Sequence, residues 1–182
     1  MKPNSFIIVL AIALTFVTFE LNAQASISAK LRAEITSQIS ISDNSGLPGG
    51  STLNFGSIAV SNTSGGSCSV STQNVRTTAG GVNPITSTSS SNASFLVNGT
   101  MNRTYAITLP VAAVPVTRAG GNETMTIDNF ASRPTSAGAD QLTGTLSNVG
   151  SDTFTVGARL NVAAGQIDGV YEGTFSVTVA YN

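Results

Sequence analysis

Ile27-Ser28-Ala29-Lys30-Leu31-Arg32-Ala33-Glu34-Ile35-Thr36-Ser37-Gln38-Ile39-Ser40-Ile41-Ser42 is the stretch whose reading decides the fold. Its odd positions carry Ile27, Ala29, Leu31, Ala33, Ile35, Ile39 and Ile41, interrupted only by Ser37, and every even position from Ser28 to Ser42 is polar. A period of two sends alternate side chains to opposite faces of a strand, whereas a helix would repeat near 3.6. The fifteen residues from Ile27 to Ile41 would reach roughly 50 Å at about 3.3 Å each, well past the usual strand of about 5–6 residues. The segment therefore either bends between two sheets or reaches in part outside its own domain.

Downstream, turn signals and short apolar alternations take over. Asp43-Asn44-Ser45-Gly46 and Pro48-Gly49-Gly50 read as turns. In Leu53-Asn54-Phe55-Gly56-Ser57-Ile58-Ala59-Val60 the apolar phase changes from odd to even across Gly56, which marks a bulge. Further strands are expected at 68–76, 93–98, 103–109, 123–130, 142–147, 153–162 and 170–181. Their inward sets include Phe95 and Val97; Tyr105, Ile107 and Leu109; Met125 and Ile127; and Phe154, Val156, Leu160 and Val162. Loops rich in Gly, Ser and Asn fill 61–67, 78–92, 118–122 and 131–141. Many short strands with turns between them predict an all-β, immunoglobulin-like sandwich in a single domain, residues 26–182.

Residues 1–25 read as an export signal. Lys2 precedes an apolar run from Phe6 to Phe19, and Ala23-Gln24-Ala25 supplies the small residues a signal peptidase selects. The run is short for a membrane span, so none is expected in the mature form. Export places the protein in the periplasm, at the cell surface or outside the cell. Without Lys2 and Glu20, the eight basic and nine acidic residues become seven and eight, a net charge of −1. Such a surface has no basic stripe for nucleic acid. Cys68 is the single cysteine and can make no internal disulfide. Its shared phase with Val70 places it in the core; an intermolecular disulfide is the alternative.

The inventory of catalytic groups is short. The chain has no histidine, which removes histidine-based nucleophile systems, metal sites and general bases. No phosphate-binding glycine loop or nucleophile elbow is present, and Lys30 is the one lysine of residues 26–182. The carboxylates are scattered over loops and polar faces, so no catalytic residue, cofactor or metal is assigned. Carbohydrate binding would draw on exposed aromatic platforms, yet tryptophan is absent and Tyr105, Tyr171 and Tyr181 share phase with core positions. A self-contained ligand- or glycan-binding surface module stands as the second reading.

A resemblance rests on Leu53-Asn54-Phe55-Gly56, Phe95-x-Val97-x-Gly99, Tyr105-x-Ile107-x-Leu109-Pro110, Val156-Gly157-Ala158-Arg159-Leu160 and the closing Gly169-Val170-Tyr171-Glu172-Gly173-Thr174-Phe175-Ser176-Val177-Thr178-Val179-Ala180-Tyr181-Asn182. In that order they resemble the bacterial domain-of-unknown-function family 4402, which implies no activity. Both ends of the chain are also similar to chaperone–usher pilus subunits, incomplete immunoglobulin-like sandwiches whose missing strand a neighbour donates. That resemblance implies a donor strand formed by Ile27, Ala29, Leu31, Ala33 and Ile35. It implies a C-terminal assembly strand marked by Gly169, Phe175, Val177, Val179 and Tyr181. The implied partners are like subunits or a periplasmic chaperone, engaged by strand pairing. Pilus subunits often carry a disulfide, which the lone Cys68 cannot form. Whether the N-terminal strand pairs within its own domain or with another is left open by the residues themselves.

The expected function is an exported structural or adhesive subunit. Cleavage is predicted between Ala25 and Ser26, so the intact mass of the exported protein should correspond to residues 26–182. A mature form that keeps the apolar leader would contradict this.

Overall fold

A computed structural model describes residues 28, 30–44 and 50–182. The predicted leader and the first two donor-strand residues, Ile27 and Ala29, lie outside the described residues. The chain divides into a leading unit, Met1–Glu34, and a main unit, Ile35–Asn182. In the leading unit the described residues form no strand, and Arg32 and Glu34 make a solvent-exposed ion pair at 3.9 Å.

The described residues of the main unit form thirteen strands. The first seven are β1 (Ser40–Asp43), β2 (Ile58–Val60), β3 (Gly66–Val70), β4 (Arg76–Gly80), β5 (Val82–Pro84), β6 (Ala93–Asn98) and β7 (Thr104–Thr108). Then come β8 (Val114–Arg118), β9 (Thr124–Pro134), β10 (Thr143–Thr145), β11 (Ser151–Val162), β12 (Tyr171–Glu172) and β13 (Thr178–Tyr181). All pairings are antiparallel.

The long strand β11 organises the larger sheet, ordered β1-β6-β11-β9-β8-β12. On one side it pairs β9 along most of its length. On the other it pairs β6 through Ser151–Val156, then hands over to β3 through Ala158–Val162. Gly157 sits at the handover. A Cβ there would run into the backbone of Val70, Ser71 and Thr72, so only glycine lets the β3–β4 turn cross this closely. Because the even residues of β11 all face inward, one strand feeds two cores. Phe154 and Val156 join Ala93, Val97, Tyr105, Ile107, Leu109 and Leu146. Ala158, Leu160 and Val162 join Phe55, Cys68, Val70, Val82, Val116 and Met125.

Each core has its own cover. A three-stranded sheet, β10-β7-β13, lies over the first, and the β2–β5 ladder over the second. The result is an all-β sandwich, in agreement with the sequence patterning. Leu53 and Phe130 pack against both cores and join them.

The structure corrects the patterning where a bulge or a tight hairpin breaks the alternation. Among the described residues of the predicted strand over 27–41, only Ser40 and Ile41 lie in a ladder, that of β1 with β6. The expected strand at 68–76 is the β3–β4 hairpin, whose turn is tied by Ser71 to Val75 and by Asn74, with a positive φ of 60°. Loop 78–92 contains most of β4 and all of β5; their Thr, Ala, Gly, Asn and Pro hide the strand signal. β9 continues through 131–134 because Asn129 (φ 51°) and Phe130 bulge opposite Ala158, switching the buried phase from Met125 to Ser132 and Pro134. β8, with Pro115 inside it, was not expected at all. At Gly56 the predicted phase change coincides with a φ of +70°, and a Cβ would meet the Arg76 guanidinium and the Ser89 carbonyl.

Cys68 is a fully buried free thiol, its Sγ facing the Phe55 carbonyl at 4.0 Å. Burial pushes its pKa up, with Arg76 opposing, so the folded state favours the neutral thiol. The sign follows from linkage. A thiol raised on folding supports stability below its unfolded pKa, and that support is lost as pH rises through the folded value. Cys68 should therefore label with a thiol reagent only on unfolding. The stability advantage of the native chain over Cys68→Ala, read by urea titration, should shrink as pH enters the alkaline range. Rapid native-state labelling would contradict the assignment.

Candidate functional site

The C-terminal run crosses between the two layers. Tyr171 and Glu172 pair with Arg118 and Thr117 on β8, at the edge of the larger sheet. Residues 173–177 belong to no ladder, and Thr178 to Tyr181 then pair with Thr108 to Tyr105 on β7. The crossing is close at Gly173, where a Cβ would press on the Pro115 carbonyl and Val116. Gly169 makes room for another side chain at its φ of +152°. Arg118 lies over it, donating from Nε to the Asp168 carbonyl at 2.7 Å and pairing with Glu123 at 3.4 Å.

The period-two row Phe175, Val177, Val179 and Tyr181 packs onto the first core of its own domain. Phe175 meets the edge of Phe95 at 6.5 Å between ring centroids and lies against Phe130 at 5.3 Å, while Phe95 stacks on Phe154 at 5.2 Å. The predicted assembly strand is thus ordered by its own sandwich, with its apolar side turned in.

Tyr181 holds the start of the domain. Its hydroxyl accepts from the Thr100 amide at 2.6 Å and donates to the Ser37 carbonyl at 2.9 Å. The Ser37 amide in turn donates to Thr100 Oγ1 at 2.8 Å, and the Arg103 guanidinium lies 5.3 Å from the Tyr181 ring centre. Gly99 leaves the space that the Tyr181 hydroxyl and Leu146 fill. This clamp divides the alternating row. Beyond it Ile39 and Ile41 pack on the first core, but Ile35 is 96% exposed, Ala33 is exposed and Leu31 is 99% exposed. Patterning identified Tyr181 but missed Ser37 and Thr100, although Ser37 is the one break in the odd row.

Two open clefts flank the smaller sheet. One, about 400 Å³, is lined by Thr108, Leu109, Pro110, Val114, Phe175 and Thr178. It lies at the opposite end of the β7–β13 ladder from Tyr181, since Thr178 pairs with Thr108 and Tyr181 with Tyr105. The other, about 410 Å³, is walled by hydroxyl side chains around Asp152. That buried carboxylate accepts from the Tyr105 hydroxyl at 2.9 Å, the Ser136 amide at 3.2 Å, the Thr153 amide at 2.9 Å and the Ser136 hydroxyl. Burial first, then Asp152, pushes the Tyr105 phenol far up, so it stays a donor. Four donors on one carboxylate make a tie between layers rather than a free base. The clue was available in sequence, because Asp152 occupies the even, core-facing phase of Phe154 and Val156.

Several other charges are paired across the fold. Asp128 and Arg159 form a two-point pair at 2.9 and 3.0 Å across β9 and β11, and Arg159 holds the Asp128 carboxyl below its ordinary range. Asp140 accepts from Thr72 at 2.7 Å and from Arg133 at 3.3 Å. Among the described residues no group of three His, Cys, Asp or Glu could hold a metal, and no helix is long and apolar enough to cross a membrane. Tyr105 is buried, while Tyr171 and Tyr181 are half-buried with bonded hydroxyls.

A family model described as Domain of unknown function (DUF4402) matches residues 39–181. No curated protein and no solved structure matches the chain.

Removing one hydroxyl tests the clamp. Tyr181→Phe should take the hydroxyl from the Thr100 amide and leave the Ser37 carbonyl with Thr100 Oγ1 at 3.5 Å, costing about 0.5–1.5 kcal/mol, the net worth of a typical hydrogen bond. Amide exchange should accelerate around Ser37 and Thr100 while the second core, around Cys68 and Leu160, stays protected. Unchanged exchange at Ser37 would show that the hydroxyl does not hold it.

Proposed function

The chain belongs to this family of unknown function, and we propose that it is an exported structural or adhesive subunit, pilus-like in lending its N-terminal segment to a like subunit as a strand. The observation that carries the reading is the division of the alternating row at Ser37. Ile39 and Ile41 are used by the domain's own core, whereas Leu31 and Ile35 are left in water. Apolar surface in water forgoes about 25 cal/mol per Å² that burial would supply, so a row of such residues favours a partner. The donor residues are Ile27, Ala29, Leu31, Ala33 and Ile35. Alternate side chains would set their register, and main-chain hydrogen bonds would supply much of the strength.

The geometry of the main unit also supports a head-to-tail contact. β1 begins opposite Asn98, at the end of the domain where Tyr181 holds Ser37, so the preceding residues leave from that end. The apolar cleft beside Leu109, Val114 and Phe175 opens at the other end of the β7–β13 ladder. Next to it, residues 173–177 run unpaired and offer backbone groups to an incoming strand. Gly169, Phe175, Val177, Val179 and Tyr181 would position that edge, with their side chains still on their own core. Unlike patches meeting in this way generate an open chain of subunits when the rotation between neighbours does not close into a ring. A periplasmic chaperone could engage the same edge before assembly. With every described tyrosine turned inward or tied down, the glycan-binding reading draws no support from an aromatic platform.

Deleting residues 26–36 should leave a folded, monomeric domain that binds a synthetic peptide of that segment. Leu31→Asp in the peptide should abolish uptake, because the charge would enter an apolar cleft unpaired, at a cost of several kcal/mol. A full mature chain that stays monomeric at high concentration, with no peptide uptake by the deletion form, would overturn the proposal.

A further inference from the structure

We infer that Ser37 and Asp43 are register stops that keep the N-terminal segment from sliding into its own domain. The inference rests on the reading of that segment as a strand meant for a partner, and it concerns what keeps the segment available. The hazard is built into the sequence. A strand that slips by one residue turns its apolar side chains outward and is rejected, but a slip by two restores the same face. Since the row from Ile27 to Ile41 keeps one phase throughout, even-numbered slips would ordinarily be tolerated.

Two polar residues in that same odd phase bracket the pair that the core takes. The order is Ser37, Ile39, Ile41, Asp43. The observed register sets Ile41 against Val97 and Asp43 against Phe95, with Ile39 and Ile41 on the first core and Asp43 exposed at the far end of β1. Drawing the chain inward by two would put Ser37 in the place of Ile39, and by four in the place of Ile41. Either move buries a hydroxyl among apolar neighbours; the bonds to Thr100 and Tyr181 come from the Ser37 main chain and would pass to Ile35 or Ala33, so the side chain alone sets the stop. Sliding outward by two would put the Asp43 carboxylate where Ile41 packs, which is more costly still. Among the described residues β1 pairs only with β6, so its ladder alone cannot forbid these moves.

The test uses the full mature chain at a dilution where it is monomeric. Lys30 and Arg32 are natural tryptic sites within the segment. Ser37→Ile should permit inward slippage, slowing cleavage at Arg32 several-fold and slowing amide exchange over residues 33–38. Ser37→Val should act in the same direction. Ser37→Thr keeps a hydroxyl in the row and should match the native chain. Because Ser37 is exposed, a larger residue there meets no packed wall in the observed register. Native cleavage and exchange rates in both the Ile and Val forms would overturn the inference. The outcome is separable from the donation reading. Slower cleavage in the variants supports the stop even if the native chain never assembles, and unchanged cleavage removes it even if assembly occurs.

Discussion

β11 is the constraint on which the rest of the structure depends. Its inward row runs from Asp152 through Phe154, Val156, Ala158 and Leu160 to Val162 and changes partner strand at Gly157 without changing face. Two cores can therefore share one sheet and remain in register with each other. The handover requires the β3–β4 turn to cross directly over the strand, and any side chain at 157 would displace backbone rather than a movable side chain. The bulge at Asn129 and Phe130 follows from the same demand. It lets β9 match β11 across the handover while turning Phe130 toward both cores.

With the larger sheet set by β11, the smaller sheet needs only a few ties. Tyr105 reaches across from β7 to Asp152 on β11, joining the layers through a carboxylate whose acceptors are filled. A buried charge is stable only when so bonded, and the same bonds fix where β7 lies. Phe175 provides the apolar counterpart, wedged among Phe95 and Phe130 where the last segment crosses between layers. The C-terminal strand is thus held by its side chains to its own core.

The regular half of the fold was legible in the sequence. β6 and most of β11 were bounded within a residue or two, because Phe95, Val97, Phe154, Val156, Leu160 and Val162 alternate without interruption. What escaped were strands whose signal comes from their neighbours. β4, β5 and β8 are short, carry Thr, Ala, Gly and Pro, and are strands because β3, β2 and β9 present edges to them. β9 looked finished where it bulged. At the candidate site, Tyr181 was readable from its phase, but its hydroxyl partners, Ser37 and Thr100, are 144 and 81 residues away along the chain. No local pattern reports a contact at that separation.

The long alternating segment first invited two explanations, a bend between sheets or a reach beyond the domain. Where the described apolar residues lie supports the second, which is the reading proposed above. A bend would bury the row on both sides of the break, with Ser37 at a corner inside the fold. Instead the packed isoleucines lie only on the C-terminal side, Ser37 is exposed, and both of its backbone groups are held. Leu31 and Ile35 repeat the phase of Ile39 and Ile41, which by pattern alone would fit them to the same sites. On the reading proposed above, the polar residue that interrupts the row decides which pair takes those sites, while Tyr181 holds whichever main chain lies beside it.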